Sequence, residues 1–143
     1  MITMTTRDRH DGPAVTVISF GYGHGAPPVA HATVDVRRHF KDPHVDPALR
    51  GLTAVDEAVV AAVRRTPGIP ALIDSIVGMA RAFRAAPRPG PVTIAVGCVG
   101  GRHRSAVIAA DAARRLDLEG VPVVLSHRDI ERPVIERAAT EVS

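Results

Sequence analysis

Tryptophan is absent from these 143 residues, tyrosine occurs once (Tyr22), and phenylalanine occurs three times, at Phe20, Phe40 and Phe83. A core made with so few rings must be aliphatic, and the aromatic platforms on which single-stranded nucleic acids stack are nearly excluded. Cysteine occurs once, at Cys98. No intrachain disulfide is possible, which rules out a secreted disulfide scaffold and points to a reducing compartment. Lysine also occurs once, at Lys41, so the formal net charge of +3 is carried almost wholly by arginine. Arginine favours anionic partners, yet a GC-rich coding bias leaves the same trace, and charge alone does not establish nucleic-acid binding. No run approaches the roughly 18 apolar residues that a membrane helix needs, and residues 1–11 hold no apolar stretch of signal-peptide length. The expectation is a soluble, cytoplasmic protein with no membrane partner.

With 45% hydrophobic residues the chain suffices for one compact domain and is too short for two. Residues 1–13 carry Arg7, Asp8, Arg9, His10 and Asp11 without periodicity and are expected to form a flexible tail, leaving residues 14–143 as the domain. Val15 to Phe20 and Val121 to Leu125 read as buried strands, and Thr33 to Val36 and Val92 to Val96 as strands. From Arg37 to Arg50 the chain is charged and broken by Asp42-Pro43 and Asp46-Pro47, which predicts a long irregular loop. Thr53 and Asp56 form a capping-box-like start to a helix that carries Val55, Val59, Val60 and Val63 up to Pro67. Two further helices are predicted over Ala71 to Ala85 and Ser105 to Leu116, with a short terminal one over Val134 to Val142. Strands alternating with helices predict an α/β class, a single layered domain with a mostly parallel sheet and its ligand over the strand carboxyl ends.

The strand Val92 to Val96 runs straight into Gly97-Cys98-Val99-Gly100-Gly101-Arg102-His103-Arg104-Ser105 and then a helix. Such a turn presents unpaired main-chain N–H groups and the positive end of a helix dipole, a combination that suits phosphate. Gly97, Gly100 and Gly101 let the backbone approach a ligand, while Arg102, His103, Arg104 and Ser105 supply donors around it. A second polar cluster, Ser126-His127-Arg128-Asp129, ends the last strand. If the loops converge, His24, Arg37, His44, Arg104, His127 and Arg128 share one pocket.

A Walker A loop is excluded, because Gly97 is followed by Gly101 only four positions on, with no Gly-Lys-[Ser/Thr] behind it. Cys98, Arg104 and Ser105 do reproduce the C-x5-R-S spacing of cysteine-dependent phosphatases. There a thiolate attacks phosphorus, arginine and loop amides hold the oxygens, and the hydroxyl assists the leaving sulfur. This enzymatic alternative also needs a general acid, for which only Asp42 and Asp46 offer themselves. Against it stands the plain reading of Cys98 as a small buried residue at a strand end. His44, His103 and His127 lack any tight metal-ligand spacing, so neither a metal nor a cofactor is predicted.

Taken whole, G-C-x-G-G-[KR]-H-R-S after an aliphatic strand resembles the C-terminal domain of the RapZ family of bacterial RNase adapter proteins. Other segments agree in order: Ser19-Phe20-Gly21-Tyr22-Gly23, Asp35-Val36-Arg37, Asp42-Pro43-His44-Val45-Asp46-Pro47-Ala48-Leu49-Arg50 with Leu52-Thr53, and Ser126-His127-Arg128-Asp129. The resemblance implies a domain like a phosphofructokinase sub-domain. It also implies a non-catalytic regulatory module that binds an amino-sugar (hexosamine) phosphate and small RNA and forms a homo-oligomer. Carried over position by position, the ligand-binding residues fall on Val99, Gly100, Arg104 and His44. Val99 departs from the threonine often found there, which removes a hydroxyl contact. The family's nucleotide-binding N-terminal domain is not part of these residues, which puts in doubt any role that needs the complete adapter.

Overall fold

The computed structural model describes the main chain of residues 2–5 and, in full, residues 15–40, 48–49, 51–88 and 90–135. Five strands form one sheet: β1 (Ile2–Thr5), β2 (Val15–Gly21), β3 (Ala32–Asp35), β4 (Val92–Cys98) and β5 (Val123–His127), in the order β1-β5-β2-β4-β3. Strands β5, β2, β4 and β3 are parallel, and β1 lies antiparallel on the β5 edge, Ile2 opposite His127. The domain is therefore α/β with a mostly parallel sheet. Ile2–Thr5 differs from the flexible tail expected there, because an exposed edge strand offers a ladder of unmet hydrogen bonds to any extended segment within reach.

Three helices follow: α1 (Glu57–Arg64), α2 (Ile69–Arg84) and α3 (Arg104–Leu118). Register places Val15, Val17 and Ser19 beside Val92, Ile94 and Val96 on one side and Val123, Leu125 and His127 on the other. The apolar members of that face pack against Val59 and Val63 of α1, Ile69, Ile73, Ile76 and Val77 of α2, and Val107, Ile108, Ala109 and Leu116 of α3 in one cluster. Ala109, Ala112 and Ala113 are fully buried, and such small side chains let α3 lie close to the strands. On the opposite face Thr16, Ile18, Thr93, Val124 and Ser126 are only half-buried. Strand β2 accordingly alternates buried and half-buried residues before becoming wholly buried from Ser19 to Gly21.

Helix α1 starts later than the sequence suggests. Asp56 is its N-cap, and the Thr53 amide donates to Asp56 Oδ2 (2.8 Å) while the Asp56 amide donates to the Thr53 carbonyl (2.9 Å). The Thr53–Asp56 pair thus closes a turn ahead of the helix instead of capping it. Helix α2 opens after Gly68, which sits at φ 92° where only glycine is relaxed, and carries Pro70 in its first turn. The terminal helix expected over Val134 to Val142 lies almost wholly outside the described residues.

Candidate functional site at the strand carboxyl ends

Because β2, β3, β4 and β5 are parallel, Gly21, Asp35, Cys98 and His127 all end at one rim of the sheet. The glycine loop leaves β4 there and enters α3 at Arg104. Its backbone is packed directly on the end of β2. The Gly23 amide donates to the Val99 carbonyl (2.9 Å), and a Cβ on Gly21 would lie 2.4 Å from the Gly100 carbonyl carbon. Gly101 adopts φ 76°, and a Cβ there would meet the Gly21 amide nitrogen at 2.8 Å. Gly97 is needed for a different reason: Phe20 and Tyr22 press their rings against its Cα, where a Cβ would come within 2.6 Å of both. Gly100 alone of these has nothing within 4 Å of such a Cβ.

The sequence nominates arginines as phosphate clamps, but the structure turns them inward. Arg104 is 1% exposed, and its Nη1 donates to the carbonyls of Val36 (3.1 Å), Arg37 (2.8 Å) and Phe40 (3.2 Å). Arg102 donates through Nη1 to Arg132 (2.9 Å) and Ile130 (3.4 Å), and through Nη2 to Gly51 (3.0 Å). Arg128 reaches the carbonyls of Ala26 (2.5 Å) and Gly21 (3.3 Å) and pairs with the buried Asp129 carboxylate (2.9 Å). Each guanidinium thereby ties one strand-end loop to another. A planar five-donor group suits this task, since loop carbonyls lacking a ladder partner need donors fanned across several directions. Among the described residues Arg102 bonds to main-chain carbonyls and pairs with no carboxylate.

The remaining nominated side chains are also engaged. His103 is 5% exposed and donates Nε2–H to the Leu52 carbonyl at 2.6 Å. Ser105 Oγ donates to the Phe20 carbonyl at 3.2 Å and lies 3.1 Å from the Cys98 sulfur. That sulfur also accepts the Gly101 amide at 3.3 Å. His127 is held by Ser19, Nδ1 to Oγ at 2.6 Å, and burial pushes its pKa down to about 4, so the imidazole is neutral. His44 lies outside the described residues, as do Asp42 and Asp46.

A main-chain amide donated to the Cys98 sulfur and a hydroxyl oxygen 3.1 Å from it are what a C-x5-R-S site places around a thiolate. Here, however, Cys98 is 2% exposed, and the Arg104 guanidinium that would hold a phosphoryl group spans residues 36–40 instead. This geometry favours the structural reading of Cys98.

Three relationships at the rim were not legible in the sequence. Asp129 is 2% exposed and accepts the Gly21 amide at 2.8 Å, fixing the β2 exit. Arg37 stacks 3.7 Å above the Tyr22 ring while forming a two-pronged pair with Asp35 (3.0 and 2.7 Å), so it faces that ring instead of the glycine loop. Its bond lowers the Asp35 pKa, and burial is the main reason that of Tyr22 is raised. Finally, His24 sits in the single turn of 3₁₀ helix, Tyr22–His24, that rests on the loop, and its Nε2 is buried with no hydrogen-bond partner.

Among the described residues no three His, Cys, Asp or Glu side chains converge as a metal site, and no helix is long and apolar enough to cross a membrane. Grooves of about 410 and 330 Å³ flank the Arg64–Asp111 ion pair on the helical layer, and no nominated residue lines either.

The profile of the RapZ C-terminal domain family matches residues 13–131. A nucleotide-binding protein of Corynebacterium jeikeium is 39% identical over 126 residues, which is 86% of this chain and 43% of that protein. Nucleotide-binding proteins of Streptomyces avermitilis and Rubrobacter xylanophilus are each 42% identical, covering 82% of this chain and 40% of theirs. The chain spans about two fifths of the length of these curated relatives.

Proposed function

Because the chain belongs to the RapZ C-terminal domain family, we propose that it is a non-catalytic regulatory module whose Gly97–Ser105 loop seats a phosphorylated small molecule, specifically a hexosamine phosphate. The relatives are named nucleotide-binding proteins, which is in keeping with a phosphate-bearing ligand. One observation carries the reading. At the sheet's carboxyl rim, the turn at Val99 and Gly100 leads into the amino end of α3 beside Arg102, which no carboxylate of the described residues pairs with, while the Gly100 Cα stays unobstructed. Main-chain amides, a helix dipole and a guanidinium act together on one oxyanion.

In this reading Arg104, His103 and Ser105 act at one remove, by holding the loop in shape, while Val99, Gly100 and the backbone of Arg102 meet the ligand. His44, from the family resemblance, and Arg128, at the β5 end, complete the surround. Small RNA binding and homo-oligomerisation enter this reading from the family resemblance.

Isothermal titration of glucosamine 6-phosphate, inorganic phosphate and a short structured RNA into the wild type and Gly100→Ala tests the reading. Saturable binding of the sugar phosphate, weakened about tenfold or more in Gly100→Ala without a change in melting temperature, is the expected result. Absence of heat with every titrant sinks it.

A further inference from the structure

We propose that residues 130–135 form a strap fastened to the glycine loop, and that closure of the strap and occupation of the phosphate seat reinforce each other. This rests on the phosphate-seat reading above and adds a conformational output to it. The strap follows the polar cluster at the end of β5 and is fixed at three points. Ile130 is 2% exposed and anchors its start. Two residues on, the Arg132 amide donates to the Asp129 carbonyl (3.0 Å) and closes a turn, while Arg102 Nη1 donates to the carbonyls of Arg132 (2.9 Å) and Ile130 (3.4 Å). The third point is apolar. A Cβ on Gly23 would collide with Ile135 Cδ1 and lie 3.2 Å from the Val99 carbonyl oxygen, so the isoleucine methyl fills a notch between the β2 exit and the loop that only a glycine leaves free.

Two of these fixings are made by the glycine loop itself, since Arg102 supplies the donors and Val99 one wall of the notch. Between them Glu131, Arg132 and Pro133 are exposed, and a segment so lightly covered opens locally at small cost. The clasp is also incomplete: Arg102 Nε is buried without a hydrogen-bond partner while both Nη groups hold carbonyls. With the strap closed, nothing stands within 4 Å of a Cβ on Gly100, so closure leaves that side of the loop accessible. Strap and ligand therefore do not compete for Gly100. Both favour one loop shape, in which the turn at Val99 and Gly100 is held against the β2 exit and leads into α3. Two events that select the same conformation assist each other, and by the same factor in each direction.

The test combines hydrogen exchange and titration calorimetry on the complete chain, with glucosamine 6-phosphate and inorganic phosphate as probes. On saturation of the wild type, exchange of the amides in residues 130–135 should slow about fivefold, while residues 119–121, in the turn after α3 at the opposite end of the sheet, should not change. This measurement depends on no variant folding. Ile135→Gly empties the notch and alters no residue of the loop; it should bind the sugar phosphate about fivefold more weakly, with Ile135→Val close to the wild type. Strap exchange that is unchanged or faster in the bound state, slowing that is matched at residues 119–121, or equal affinity in Ile135→Gly overturns the coupling while the phosphate seat stands. A wild type that binds neither probe overturns both.

Discussion

The guanidinium of Arg104 donates to the main-chain carbonyl of Arg37 at 2.8 Å, and with Val36 and Phe40 it closes a three-carbonyl clasp across the β3 exit. An arginine first read as a ligand clamp thus holds two loops together from within a nearly closed site.

Replacing it should therefore unfold the protein before it reveals anything about binding. Arg104→Met leaves three carbonyls without that donor and removes hydrogen bonds to a charged group, each worth about 1.5–3 kcal/mol. A loss on the order of 3 kcal/mol in urea-unfolding stability is expected, with Arg104→Lys intermediate because one ammonium cannot reach in the same three directions. An Arg104→Met midpoint equal to the wild type would disprove the clasp.

Stability should also fall in mild acid through His127. Its folded pKa of about 4 lies below the ordinary histidine value of 6.5, because burial disfavours the charged ring. Above pH 6.5 the ring is neutral in both states and stability is complete. As the pH falls from 6.5 to 4 the unfolded chain takes up a proton that the native state refuses, so stability drops by about 1.4 kcal/mol per unit, on the order of 3 kcal/mol in all. Urea titrations at several pH values check this. His127→Gln, which cannot be protonated, should flatten the slope over that window; an unaltered slope assigns it elsewhere.

The two neighbouring glycines Gly21 and Gly100 should respond in opposite ways to alanine. At Gly21 the new methyl would sit 2.4 Å from rigid backbone, so Gly21→Ala must push β2 and the loop apart, at about 3 kcal/mol or more. At Gly100 nothing stands within 4 Å, and Gly100→Ala should melt like the wild type. Calorimetric melting of both variants decides the point, and equal destabilisation would contradict the packing of loop on strand.

Cys98 should prove inert. A sulfur 2% exposed, accepting the Gly101 amide and contacting Ser105, is shielded from reagents as well as from substrates. The native protein should react with an aromatic disulfide reagent only at the rate of its own opening, and should not hydrolyse p-nitrophenyl phosphate. Turnover lost on Cys98→Ser would revive the phosphatase alternative.

The elements were legible because each declares itself locally. Val15 to Phe20, Val92 to Val96 and Val121 to Leu125 lie within two residues of β2, β4 and β5, and the helix expected over Ala71 to Ala85 lies within two residues of α2. Ile2-Thr3-Met4-Thr5 alternates like a strand too, but four residues carry little signal until β5 supplies an edge. The start of α1 is not legible in sequence, because a threonine followed by an acid three residues on describes a capping box and a closed turn equally well.

The order of residues by itself settled that this is an α/β domain with a glycine loop at the end of a central strand, since strand and helix periods and glycine's missing Cβ are properties of a short stretch of chain. What each side chain does was decided only by folding. Arg102, Arg104, His103 and Ser105 look like ligand donors when read in line, and in the fold each bonds to a carbonyl of a segment more than 50 residues distant. A hydrogen bond is won by whichever acceptor the fold carries within reach, and that contest is invisible until the distant segments meet.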